Sequence, residues 1–142
     1  MSHQSASLPM ADTPRILLVD DEENLVIMIE ARLRHAGYDV LIARDGAMGL
    51  EMARTQQPDV IILDLMLPKL NGYEVCTMLK QDTRYQQIPI MLFSAKGMER
   101  DKQLGLECGA DAYVQKPFKS QEFLEQVRRL TNAAHRSGET PA

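Results

Sequence analysis

Asp59-Val-Ile-Ile-Leu-Asp-Leu-Met-Leu-Pro-Lys-Leu-Asn-Gly72 decides how this chain is read. Four consecutive apolar residues, Val60 to Leu63, deliver a single carboxylate, Asp64, into a short loop shaped by Leu67, Pro68 and Gly72. An apolar run without alternation reads as a strand covered on both faces, as in a parallel sheet. An acid at its carboxyl end is either turn chemistry or a reactive group. Taken alone, Asp64 fits both descriptions, and its neighbours must decide.

Outward from this strand, the same rhythm repeats. On the N-terminal side, Ile16 to Val19 form an apolar run that enters Asp20-Asp21-Glu22-Glu23. Acids there also suit a helix start, through capping and the macrodipole. Val26, Ile29 and Leu33 share one face of a helix over Glu23–His35, which Gly37 ends. Val40 to Ala43 make a second strand, and Asp45 caps a second helix with Ala47, Leu50 and Ala53 inward. Beyond Gly72, a third helix buries Val75 and Leu79. Ile90 to Phe93 form a fourth strand ending at Ser94. A polar fourth helix spans about Glu99 to Cys108, stopped by Gly109. Ala112 to Gln115 form a fifth strand ending at Lys116-Pro117. Ser120 caps a last helix with Phe123, Leu124, Val127 and Leu130 spaced for burial. Residues 1–13 read as a disordered leader, 14–134 as one folded domain, and 135–142 as a polar disordered tail.

Five strands alternating with five helices specify an α/β fold: a doubly wound parallel sheet with right-handed crossovers. In the flavodoxin-like order 2-1-3-4-5, strands one and three are neighbours at the switch point, where function collects at strand carboxyl ends. Those ends carry Asp20 and Asp21, Asp64, Ser94 and Lys116. Three converging carboxylates need a cation, because two unit charges about 4 Å apart repel by roughly 4 kcal/mol at an effective dielectric near 20. Oxygen ligands without His or Cys select a hard ion, and Mg²⁺ suits a site that keeps waters and a phosphate. A nucleophilic carboxylate, a divalent metal, a lysine and a hydroxyl together describe phosphoryl transfer.

Composition sets the limits. The 142 residues, 44% hydrophobic and 25% charged, fit one ordinary globular domain. A net charge of −4 argues against general nucleic-acid or membrane-surface binding. No apolar run approaches the roughly 18 residues of a membrane span, and no signal sequence opens the chain, so a cytoplasmic protein is expected. The nine methionines read as core filler, and Cys76 and Cys108, without metal or paired-motif spacing, as buried free thiols of a reducing compartment. His3, His35 and His135 are expected to be solvated.

The motifs Leu18-Val-Asp20-Asp21-Glu22, Asp64 followed by Pro68 and Gly72, Ser94-Ala95-Lys96, and Gly109-Ala-Asp-Ala-Tyr113-Val-Gln-Lys116-Pro117-Phe118 resemble the receiver domain of two-component response regulators. The likeness covers about Pro14 to Ala134 and is nearest to stand-alone, chemotaxis-regulator-like receivers. It implies that Asp64 accepts a phosphoryl group from a phosphohistidine on a sensor histidine kinase or phosphotransfer protein. It implies Mg²⁺ held by Asp21, Asp64 and the Met66 backbone carbonyl, with Asp20 acting through a metal-bound water. Ser94 and Lys116 would contact phosphoryl oxygens, Tyr113 would be an aromatic switch coupled to Ser94, and the Lys116–Pro117 bond would be cis.

The resemblance further implies a signalling switch rather than an enzyme, docking a downstream protein on the face built from the fourth helix, fifth strand and last helix. The eight residues after the last helix leave no room for an output domain, so a stand-alone receiver without direct nucleic-acid or membrane contact is expected. Ala112 stands where many DNA-binding members carry a second acid, which favours a monomer or weak dimer. Met66 cannot orient an attacking water, and Lys96 partly occludes the site, so slow self-dephosphorylation is expected. The competing readings are an Mg²⁺-dependent phosphatase working through an aspartyl-phosphate, a phosphate-independent receiver-like adaptor, and a nucleotide-binding module. The last is opposed by four acids where a Gly-rich phosphate loop would stand.

Overall fold

The computed structural model describes residues 13–95, 103 and 107–139. Its elements, in chain order, are β1 (Arg15–Val19), α1 (Glu23–His35), β2 (Asp39–Ala43), α2 (Gly46–Gln56), β3 (Val60–Asp64), α3 (Gly72–Lys80), β4 (Ile90–Ala95), β5 (Ala112–Lys116) and α4 (Ser120–Glu139). All neighbouring strands are parallel, in the order β2-β1-β3-β4-β5. Four helices are thus delimited among the described residues, against five expected. Of the remaining helix, expected over Glu99–Cys108, only Gln103, Glu107 and Cys108 are described, and the first two are helical.

Alternate residues of each strand feed opposite faces of the sheet, as a period of two requires. Leu17, Val19, Ile61, Leu63, Ile90 and Leu92 pack with Leu50 and Ala53 of α2 and Val75, Cys76 and Leu79 of α3. Ile16, Leu18, Val60, Ile62, Met91 and Phe93 pack with Val26, Ile29 and Leu33 of α1 and Phe123, Val127 and Leu130 of α4. Burying each such aliphatic side chain contributes about 1.5–3 kcal/mol, and the two covered faces explain the unbroken apolar runs.

Local chemistry fixes where the helices begin. Asp45 accepts the Met48 backbone N–H at 2.7 Å. Asn71 and Glu74 form a reciprocal capping box at the start of α3. α1 has no side-chain cap; Glu22 stands at its N-cap position.

Four expectations are corrected. α4 continues to Glu139, so residues 135–139, expected in a disordered tail, are helical. Ser120 is the first residue of α4 rather than its cap; the Phe123 N–H bonds to the Lys119 carbonyl instead. Ala47 is exposed, and α2 turns Gly46, Gly49, Leu50 and Ala53 inward. Its buried stripe includes two glycines that a search for apolar side chains passes over. Among the described residues the methionines are not chiefly core filler: Met91 is buried and Met52 half-buried, but Met28, Met48, Met66 and Met78 are exposed.

Candidate phosphoryl-transfer site

Register alone brings the strand-end residues together. Val19 lies beside Leu63, so the next residues, Asp20 and Asp64, emerge side by side. Asp64 lies beside Phe93, one step before Ser94, and Lys116 lies beside Ala95. The backbone holds these exits: Asp20 N–H bonds to the Ala43 carbonyl and Leu65 N–H to the Phe93 carbonyl, at 3.1 and 2.9 Å.

The loop after β3 is folded tightly against the sheet. Leu65 and Leu67 are buried within it, and Gly72 N–H returns to the Leu65 carbonyl at 3.1 Å. A Cβ on Gly72 would stand 2.3 Å from the Asp64 carbonyl oxygen, so no other residue fits without moving the strand end. Gly46 presses on the same loop from α2; a Cβ there would fall 1.7 Å from the Leu70 carbonyl oxygen. These contacts fix the direction in which the Asp64 carboxylate leaves the sheet.

Asp20 and Asp64 are buried and Asp21 is exposed, and one carboxylate oxygen from each lies within 4.8 Å of the others. Lys116 Nζ reaches Asp64 Oδ2 at 3.2 Å, Asp20 Oδ2 at 3.4 Å and Glu22 Oε1 at 3.9 Å. The other oxygens are engaged by backbone: Asp64 Oδ1 accepts from Met66 N–H at 3.1 Å, and Asp20 Oδ1 from Glu22 N–H at 2.9 Å. The Ser94 and Tyr113 hydroxyls hydrogen-bond to each other. The Lys116–Pro117 peptide is cis, as expected.

The charges do not balance within the protein. Burial pushes the Asp64 carboxyl up to about 6, and the Asp20 charge adds to this; Lys116 and the Met66 N–H offset only part. Burial works against the Lys116 ammonium, but Asp64 and Asp20 outweigh it and hold its pKa above the ordinary lysine value. One lysine therefore faces several acids. An all-oxygen set of this density fits a hard divalent cation, so the residues present fit Mg²⁺.

The structure brings together Asp20, Asp21, Asp64 and Lys116, and sets the hydroxyl of Ser94, near the end of β4, against that of Tyr113, the second residue of β5. Lys96 lies outside the described residues. Glu22, quoted only as part of the first acidic motif, and Phe93, read only as a strand residue, both stand near the Lys116 ammonium. Its ammonium sits 5.8 Å from the Phe93 ring centroid, and Phe118 stacks on Phe93 at 5.2 Å and on Phe123 at 5.0 Å. The Lys-Pro-Phe order was the available signal for this aromatic support of the turn.

Comparison with known proteins decides the family. Residues 16–128 match the response regulator receiver domain. The chain belongs to the receiver domain family of two-component response regulators. It is 47% identical over 116 residues to the alkaline phosphatase synthesis transcriptional regulatory protein PhoP of Bacillus subtilis, covering 82% of this chain and 48% of that protein. It is 44% identical over 123 residues to the DNA-binding dual master transcriptional regulator RpaA of Synechocystis, covering 87% and 51%.

Among solved structures, the receiver domain of the sensor histidine kinase PA1611 of Pseudomonas aeruginosa superimposes with a TM-score of 0.79 at 32% identity, covering 84% of this chain and 98% of that one. That structure carries a magnesium ion coordinated in its active-site cleft. The Francisella response regulator 1452 receiver domain gives a TM-score of 0.79 at 30% identity, covering 85% and 98%.

This chain thus spans about half the length of the curated relatives it matches. Those relatives are named as transcriptional or DNA-binding regulators, so they lend no support to a stand-alone receiver with no nucleic-acid partner. No helix among the described residues is long and apolar enough to cross a membrane.

Proposed function

We propose that the chain is a cytoplasmic phosphorylation switch whose acceptor is Asp64. One observation carries this: a buried carboxylate, displaced to about 6, stands beside two further acids and 3.2 Å from the Lys116 ammonium. An Asp64 carboxylate oxygen attacks the phosphorus of a phosphohistidine on a sensor histidine kinase or phosphotransfer protein. The O–P bond forms as the N–P bond breaks, and the leaving imidazole keeps the electron pair and takes up a proton.

Mg²⁺, when bound, would neutralise charge on the transferring phosphoryl group. Asp21, Asp64 and the Met66 carbonyl are the residues to hold it. Asp20, whose Oδ1 and Oδ2 are engaged by Glu22 N–H and Lys116, acts through a water. Lys116 is placed to trade its carboxylate partners for a phosphoryl oxygen, and Ser94 to offer its hydroxyl to another.

Phosphorylation adds about −1.5 to −2 charges beside Ser94 and Lys116. Recruiting Ser94 draws on the hydroxyl that Tyr113 shares, which passes the change to β5. The output face is β5 with the helix expected before it, the fourth in chain order, and α4. A groove of about 560 Å³ there is lined by Tyr113, Gln115, Pro117, Lys119, Glu122 and Gln126. It would admit a downstream protein, with the receiver acting as a monomer or weak dimer.

Exposed Met66 borders a second cleft with Asp21, Leu67 and Tyr73, and gives an attacking water no hydrogen bond. Slow self-dephosphorylation follows, with Lys96 as a second influence.

Incubation with Mg²⁺ and acetyl phosphate is expected to add one phosphoryl mass, absent in Asp64→Asn. An adduct of equal yield on another residue of that variant overturns the assignment.

A further inference from the structure

Cys76 and Cys108 lie 32 residues apart in the chain, on α3 and just before Gly109. Each reads in sequence as an isolated core thiol. The fold instead puts them in contact: the Cys108 thiol hydrogen-bonds to Cys76 Sγ at 2.9 Å, and the Cys76 thiol points back to the Cys108 carbonyl at 3.7 Å. Sulfur atoms that close need to move by only about 0.9 Å to reach the S–S bond length of about 2.0 Å.

The two sites are unequal. Cys76 is fully enclosed, while Cys108 is 6% exposed at the turn into β5. That opening makes Cys108 the sulfur that a small solute reaches first. A cation stands close by. Lys80 Nζ bonds to Asp111 Oδ2 at 2.9 Å, and its stem lies 3.5 Å from where a Gly109 Cβ would be. The Lys80 charge favours thiolate at both cysteines.

We propose that Cys76 and Cys108 are a peroxide-oxidisable pair that closes to a reversible disulfide tying α3 to the entry of β5. Cys108 thiolate attacks one oxygen of a hydroperoxide; the S–O bond forms, the O–O bond breaks, and the alcohol or water leaves after taking up a proton. Cys76 sulfur then attacks the Cys108 sulfenic acid. The S–S bond forms, the S–O bond breaks, and water leaves with the Cys76 proton. Two thiols are oxidised and one hydroperoxide is reduced, and a small dithiol reverses the result by exchange.

The bond would anchor the segment that leads into β5, and with it Tyr113 and Lys116, to the helix that follows the Asp64 loop. The redox chemistry is independent of the phosphoryl reading, since none of its steps uses Asp64, Ser94 or Lys116.

The test uses the full, reduced chain treated with stoichiometric hydrogen peroxide, then alkylated and mapped by mass spectrometry. A Cys76–Cys108 cross-link within one chain, two hydrogens lighter and lost with dithiothreitol, is expected in most molecules. Both cysteines recovered as alkylated thiols, a sulfinic acid at Cys108 without cross-link, or cross-links only between chains would each overturn the pair.

In Cys76→Ala, a sulfenic acid at Cys108 is expected to be trapped by dimedone, and in Cys108→Ala no adduct at Cys76. Equal labelling in both overturns the assigned order. Hydrogen exchange at the Tyr113–Lys116 amides is expected to slow several-fold in the oxidised wild type. Unchanged exchange there overturns the tether while leaving the phosphorylation assay as a separate question.

Discussion

β3 and β5 both end in a residue of the site, yet the sheet treats them differently. Every residue of β3, Val60–Asp64, is buried, with helices on both faces and strands on both edges. Every residue of β5, Ala112–Lys116, is only half-buried, and the strand sits at the sheet edge with β4 as its one strand neighbour. The proposed acceptor carboxylate therefore stands on the most constrained strand, and the residues proposed to answer it, Tyr113 and Lys116, on the least. A switch needs this asymmetry: chemistry requires fixed geometry, while a population shift requires an element whose alternatives differ by only a few kcal/mol.

Core truncation tests the contrast most strongly. Ile62→Ala is expected to cost about 3–4 kcal/mol in denaturant unfolding, because a close-packed site relaxes little, whereas Val114→Ala costs about 1 kcal/mol. Equal losses would remove the distinction between mount and reporter.

Next in size is the charge stored at the mount. Asp64→Asn is expected to stabilise the metal-free protein at pH 7 by about 1–2 kcal/mol, since it relieves a desolvated carboxylate beside Asp20. The pH dependence has a definite sign. Asp64 holds its proton more tightly folded, at about 6, than at the ordinary 3.8. Its contribution to stability is therefore fully present below about 4 and lost as pH rises through about 6. Mg²⁺ requires the ionised form, so calorimetric Mg²⁺ affinity should weaken as pH falls through about 6, and the trend should vanish in Asp64→Asn.

Smaller effects belong to the edge. Tyr113→Phe removes the hydroxyl paired with Ser94 and is expected to cost about 0.5–1.5 kcal/mol while leaving acetyl-phosphate labelling intact. Loss of labelling would move Tyr113 from reporter to catalysis. Met66→Asn should leave stability within about 0.5 kcal/mol and speed loss of the phosphoryl group. An unchanged decay rate would count against the role given to Met66.

Much of this contrast was legible beforehand where it depends on local pattern. Val60–Leu63 and Ile16–Val19 announced strands covered on both faces, and the acids after them marked strand ends. α1 was bounded at Glu23 and His35 from its apolar spacing and Gly37. Reading failed where a residue is used for its smallness: Gly46 and Gly49 carry the buried face of α2, and Ala47 does not. It failed again for the methionines, since a flexible apolar chain gives no periodic signal of its own and four of them face solvent.

What the sequence determined by itself is the alternation of strands and helices, and with it the parallel sheet. Both follow from repeats of two and about 3.6 residues, which act over short stretches of chain. It also determined which side chains stand at strand ends. Tertiary structure alone decided their inequality: Asp20 sealed and paired while Asp21 faces solvent, Glu22 and Phe93 drawn to Lys116, and Cys76 set against Cys108. These depend on register between strands and on helices packed across the sheet. A contact between residues 32 or 96 positions apart leaves no local periodicity to read.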